Sequence, residues 1–122
     1  MPDSPSEKPN DLKGGAIRTF TRIAEAWSLG ESEQRQILAL SELPQSGDER
    51  LVDDLVLMRI GQIISIYRAL HTIFRDPKQA NSWIHRDNAA AIFCCEPAIK
   101  LMCSGQAGAL EAVRDYLEAQ RD

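Results

Sequence analysis

The sequence predicts an all-α protein, a small helical bundle, and three observations carry that prediction. Apolar residues recur at spacings of three and four through most of the chain. No stretch alternates apolar and polar residues for long enough to make a strand, and the breaks hold helix caps and stops such as Asp76-Pro77 and Ser104-Gly105. No segment repeats another. The 122 residues, 43 % apolar and 26 % charged, suffice to close one core.

Residues 1–13 set Pro2, Pro5 and Pro9 among Ser, Asp, Glu and Lys, and read as a disordered lead-in. From Gly14-Gly15, the residues Ile17, Phe20, Ile23, Ala24 and Trp27 make one face of a first helix, which Ser28-Leu29-Gly30 stops. A short second helix, capped by Gly30 or Ser32, carries Glu31 and Glu33 in its first turn and buries Ile37, Leu38 and Leu40. Pro44 to Asp48 is a break and closes the unit 14–47.

A long central helix spans about 48–75. One apolar stripe is Val52, Val56, Ile60, Ile63, Tyr67, Leu70 and Phe74; a second is Leu51, Leu55, Met58, Ile66 and Ile73. An arc that wide predicts two packing partners, the bundle itself and a second subunit, with Leu51, Leu55 and Met58 as the seam of a homodimer. In 76–122, Asp76 caps a helix that starts at Pro77 and turns Ala80, Trp83 and Ile84 inward. A loop leads to Pro97, which opens a short helix through Ile99, Leu101 and Met102. The last helix runs from Gln106 to about Gln120 with Leu110, Val113, Tyr116 and Leu117 inward.

Several function classes drop out. With 14 basic and 18 acidic side chains the net charge is −4, whereas a phosphate-gripping chain usually leans the other way. No apolar run approaches the ~20 residues of a membrane span, and Met1-Pro2-Asp3-Ser4-Pro5 lacks the build of a signal peptide. Three cysteines, two of them adjacent, argue against a disulfide framework and for the cytoplasm. Cys94, Cys95, Cys103 and His85 lack metal-ligand spacing, so the cysteines read as small fillers of a packed loop. His71 has no carboxylate at helical spacing, and no Cys–His pair has an orienting third group. Neither catalysis nor a cofactor is expected. The first two helices invite a helix-turn-helix reading, with Arg18, Arg22 and Arg35 offered to phosphates by a dimeric repressor. Where a recognition helix belongs, however, stands the Pro- and Gly-containing, acid-rich stretch 43–50.

One series of residues is more particular. Tyr67-Arg68-Ala69-Leu70, Phe74, Asp76-Pro77, Ala80, Trp83-Ile84, Asn88, Phe93, Pro97, Ser104-Gly105, Val113 and Tyr116-Leu117, in that order, resemble the toxin-binding domain of the Xre/MbcA/ParS-type antitoxins. Phe20-Thr21-Arg22-Ile23-Ala24-Glu25-Ala26-Trp27 with Glu33-Gln34-Arg35 resembles the helix-turn-helix-derived opening of the same proteins. The resemblance implies a non-catalytic, commonly dimeric antitoxin that binds a RES-domain toxin, an enzyme consuming NAD or transferring its ADP-ribose. It divides the chain into a degenerate helix-turn-helix-like segment, the long dimerisation helix and a toxin-binding domain at 76–122. The eroded recognition segment departs from the family, which leaves a dimeric DNA-binding autorepressor as the alternative reading to the antitoxin. Cys94-Cys95 stands where relatives usually show a Gly pair, and any positive φ there would be strained. Trp83, Asn88, Phe93, Pro97, Gly105 and Tyr116 also read physically as scaffold: ring anchors, a turn former, a helix start and a helix stop.

The last helix supplies the expected binding face. Glu111, Asp115, Glu118 and Asp122 recur at spacings of four, three and four and so lie along one side, with Arg114 and Arg121 as a neighbouring stripe. A toxin that takes NAD must hold its pyrophosphate with cations, and a row of carboxylates competes for them. The implied site is this face together with the terminal Gln120-Arg121-Asp122.

Overall fold

The structure is a computed structural model that describes residues 9–43, 52–106 and 108–121, with side chains from 12 to 120 among these. Six α-helices make up the described chain: α1 (Pro9–Ala26), α2 (Glu31–Leu38), α3 (Asp54–Ile73), α4 (Pro77–Ser82), α5 (Ala98–Met102) and α6 (Ala109–Arg121). Single 3₁₀ turns at Trp83–His85 and Ala91–Phe93 lie between α4 and α5. Among the described residues there is no strand, only an isolated antiparallel bridge between Asp87 and Pro97. The fold is an all-α bundle.

The helix α3 is its axis. Val56, Ile60, Ile63, Ile66, Ala69 and Leu70 are buried along it, facing α1 on one side and α6 on the other. From α1 come Ile17, Phe20, Ile23, Ala24 and Trp27, and from α6 Leu110, Val113 and Leu117, all into one core. No charged residue is buried among them. Each fully buried Leu, Ile or Val removes apolar surface worth about 1.5–3 kcal/mol, so α3 alone supplies much of the drive to fold. The indole N–H of Trp27, fully buried, has no acceptor among the described residues.

Local chemistry sets the boundaries. Asp53 caps α3, its carboxylate accepting from the Val56 N–H at 2.9 Å, and Asp76 caps α4 through the Lys78 N–H at 3.0 Å. At α2 the Gly30 N–H donates to the Glu33 carboxylate at 3.1 Å, half of a capping box. The C-terminal stops are less usual. Ser28 ends α1 at φ 56° and Ala39 ends α2 at φ 58°, both left-handed. In each case the next amide reaches back five residues, Leu29 N–H to Ala24 O and Leu40 N–H to Arg35 O, both 2.9 Å.

Three boundary expectations change. The first helix starts at Pro9, inside the expected lead-in of 1–13, because proline costs nothing at a first helical position. Leu12 there is 63 % exposed and adds nothing to the core. The central helix starts at Asp54 rather than 48, with Asp53 extended before it, and the last helix starts at Ala109 rather than Gln106. The break at Pro44–Asp48 and the seam residue Leu51 lie outside the described residues.

Candidate functional site

The expected binding face lies on α6. Glu111, Asp115, Glu118 and Gln120 are exposed, while Leu110, Val113 and Leu117 hold the opposite side to α3. Arg114 is half-buried and reaches its own neighbour: its guanidinium donates to the Asp115 carboxylate at 3.1 and 3.3 Å. One of the four carboxylates is therefore already partnered. The side chain of Arg121 and all of Asp122 lie outside the described residues.

A cluster of aromatic rings meets α6 at Tyr116. Trp83 and Phe93 form a T-shaped pair (centroids 5.7 Å, 79°), Trp83 and Tyr116 stack (6.3 Å, 25°), and Phe93 and Tyr116 form a second T-shaped pair at 5.3 Å. Each such pair adds about 0.5–1.5 kcal/mol beyond buried area. Phe93 is buried and the other two rings are half-buried. They fasten the segment between α4 and α5 onto α6.

That segment closes tightly. Asn88 accepts the Ala90 N–H through its side chain at 2.9 Å, and its own N–H donates to Glu96 O at 3.3 Å beside the Asp87–Pro97 bridge. Asn88 itself is not left-handed; Cys94 (φ 51°) and Cys95 (φ 68°) are. Both cysteines are exposed, which corrects their reading as packed fillers. Only Cys103 is partly buried, its thiol donating to Glu33 O at 3.6 Å, and burial pushes its pKa up to about 11. Pro97 is the N-cap of α5 and Gly105 a left-handed residue shortly after its end.

The second apolar stripe, which holds the expected seam, is split. Leu55 and Met58 stand 64 % and 52 % exposed, but Ile66 of the same stripe is fully buried and Ile73 half-buried. Beside Leu55 and Met58 a cleft of about 310 Å³ opens between the end of α2, the first turns of α3 and the start of α6, where Leu40, Leu110 and Glu111 also line it. The stripe is thus covered within the chain at its far end and open at its near end. Arg18 and Arg22 are exposed on α1, whereas Arg35 sits 3.8 Å from Glu31 on α2.

Sequence reasoning missed the long-range ties. His85 Nε2 meets the Trp27 carbonyl at 2.6 Å, which anchors the turn after α4 to the end of α1 across 58 residues. His71 pairs with Asn81 Oδ1 at 2.9 Å, tying α3 to α4, and its ring lies tilted against Tyr67 with centroids 4.2 Å apart. Partners so far apart leave no periodic trace. Among the described residues no group of three or more His, Cys, Asp or Glu is placed to hold a metal ion, and no helix is long and apolar enough to cross a membrane.

No family model matches the chain, and no solved structure does. The uncharacterized protein y4oB of Sinorhizobium fredii (strain NBRC 101917 / NGR234) is 30 % identical over 111 residues, covering 86 % of this chain and 83 % of that protein. The likeness runs through nearly the whole of both sequences, and the chain belongs to the same family as y4oB.

Proposed function

We propose that this chain is an antitoxin: a non-catalytic homodimer of the cytoplasm that binds a RES-domain toxin and covers its NAD site with the exposed carboxylates of α6. The observation that carries the reading is the backbone at Cys94 and Cys95. The family resemblance puts a Gly pair at these two positions, and both hold the left-handed conformation that glycine adopts without strain. A resemblance out of register by one residue would not fall on two consecutive left-handed positions. The marks Trp83, Phe93 and Tyr116 lend further support, since they are far apart in sequence and meet in one cluster.

The chemistry suits such a partner. Glu111, Asp115 and Glu118 are exposed on one side of a helix whose opposite side is locked into the core. They compete with a pyrophosphate for cationic groups at the cost of desolvating only surface carboxylates. Leu55 and Met58 give the dimer its seam, large apolar side chains exposed beside a cleft.

The double reversal Asp115→Lys with Glu118→Lys tests this reading. Both positions are exposed, and the ion pair of Asp115 with Arg114 lies at the surface, where such pairs are worth under about 1 kcal/mol, so the variant folds without it. It should bind the toxin less tightly and release toxicity in cells that express both. If it protects as well as the wild type, the face is merely solvated and neutralisation lies in the segment from Trp83 to Pro97.

A further inference from the structure

Cys94 and Cys95 are consecutive, free and exposed. Both also hold left-handed backbone, a strained state for any residue with a Cβ. Packing does not explain their presence, and the Cys94 thiol reaches only the Ala91 carbonyl at 3.7 Å, the long end of a sulfur hydrogen bond. Cys103 differs in kind: partly buried and held protonated by that burial, it is a poor nucleophile. The accessible thiol chemistry of the chain is therefore concentrated in one dipeptide.

We infer that Cys94 and Cys95 are an oxidation site that closes to a vicinal disulfide when the protein meets a peroxide. One thiolate attacks a peroxide oxygen, the O–O bond breaks, and the sulfur becomes a sulfenic acid while the departing hydroxide takes a proton to become water. The neighbouring thiol then attacks that sulfur. The S–O bond breaks, the S–S bond forms and a second water leaves with the remaining proton. Two thiols give up two electrons and one peroxide becomes two waters.

The left-handed backbone bears on this step. Consecutive side chains on a helical turn of either hand splay by about 100°, whereas a disulfide needs its Cβ atoms within about 3.5–4.5 Å. Closure therefore draws the pair out of the left-handed region, and the strain it relieves offsets part of the strain of the small ring. On one side stands the turn closed by Glu96 N–H to Phe93 O at 2.8 Å, and beyond it the hydrogen bond of Asn88 with Glu96. Oxidation reshapes this segment. The proposal stands independently of the antitoxin reading.

Treating the full reduced chain with hydrogen peroxide and measuring its intact mass, then its alkylation by N-ethylmaleimide, decides the matter. The expected product has lost two hydrogens, resists alkylation at Cys94 and Cys95, and returns to the starting mass with dithiothreitol. Cys94→Ser and Cys95→Ser should each abolish the loss and leave a sulfenic acid that dimedone traps, while Cys103→Ser should leave it intact. Amide exchange at Glu96 should speed up at least ~10-fold on oxidation. Oxygen gained at either cysteine without loss of hydrogen, a disulfide between two chains, no reaction, or unchanged exchange at Glu96 would each overturn the proposal.

Discussion

Replacing Cys94 and Cys95 together by glycine should stabilise this protein, and the size of the gain follows from the backbone. Both residues are left-handed, at φ 51° and 68°, and that conformation costs an L residue about 1–2 kcal/mol. Glycine relieves this strain but carries an extra unfolded-state entropy of about 0.5–1 kcal/mol. The net gain is about 0.75 kcal/mol per position, or about 1.5 kcal/mol for the pair. Little is given up in exchange, because both thiols are exposed and the sulfur hydrogen bond of Cys94 is long. With a urea m-value of about 2 kcal/mol/M, the unfolding midpoint should rise by roughly 0.5–1 M at unchanged m. Ala39→Gly, at φ 58° where α2 ends, is the internal control and should gain about half as much. A midpoint for Cys94→Gly/Cys95→Gly equal to or below the wild type would refute the reasoning, above all if Ala39→Gly gains as expected. The cysteines would then contribute something to the folded state that their geometry does not reveal.

Three further outcomes follow from the same structure. Gly61→Ala, inside α3 where an added Cβ meets nothing within 4 Å, should raise stability by about 0.5–1 kcal/mol in thermal unfolding. Leu55→Asp should leave the fold intact, since Leu55 is 64 % exposed in the single chain; if the proposed homodimer uses this seam, the charge should convert it to monomer in sedimentation, and a variant that stays dimeric moves the seam elsewhere. Cys103, whose pKa burial lifts from 9.0 to about 11, holds its proton more tightly when folded than when unfolded. The stability it adds is therefore whole below pH 9 and falls as pH rises from about 9 through 11, a decline that Cys103→Ala should remove.

What the sequence disclosed and what it hid divide along physical lines. The buried face of α1, five residues at helical spacing, was legible because a packed helix must repeat its apolar side every turn. The same holds for Val56, Ile60, Ile63 and Leu70 on α3 and for Leu110, Val113 and Leu117 on α6. The start of α1 was not legible: Pro9 resembles a disordered stretch in composition, and Leu12 beside it is exposed and adds no periodic signal. The stop of α1 at Ser28-Leu29-Gly30 was legible, but not that Ser28 takes the left-handed conformation while Gly30 caps α2; nor was the stop at Ala39, where no glycine announces the end of a helix. Leu55 and Ile66 share a stripe in sequence yet differ completely in burial, because covering depends on where α2 and α6 lie, which periodicity along α3 does not encode. At the candidate site, Asp115 and Glu118 were legible as one face, whereas the engagement of Asp115 by Arg114 required the side-chain geometry.

The reading as an antitoxin is tested most directly by measuring NAD in cells that express a RES-domain toxin from the same genome, alone and together with this chain. The account predicts that NAD falls when the toxin is expressed alone and holds steady when this chain is present, and that the two proteins purify as a stoichiometric complex. NAD that falls equally in both cases, with no complex recovered, would contradict it.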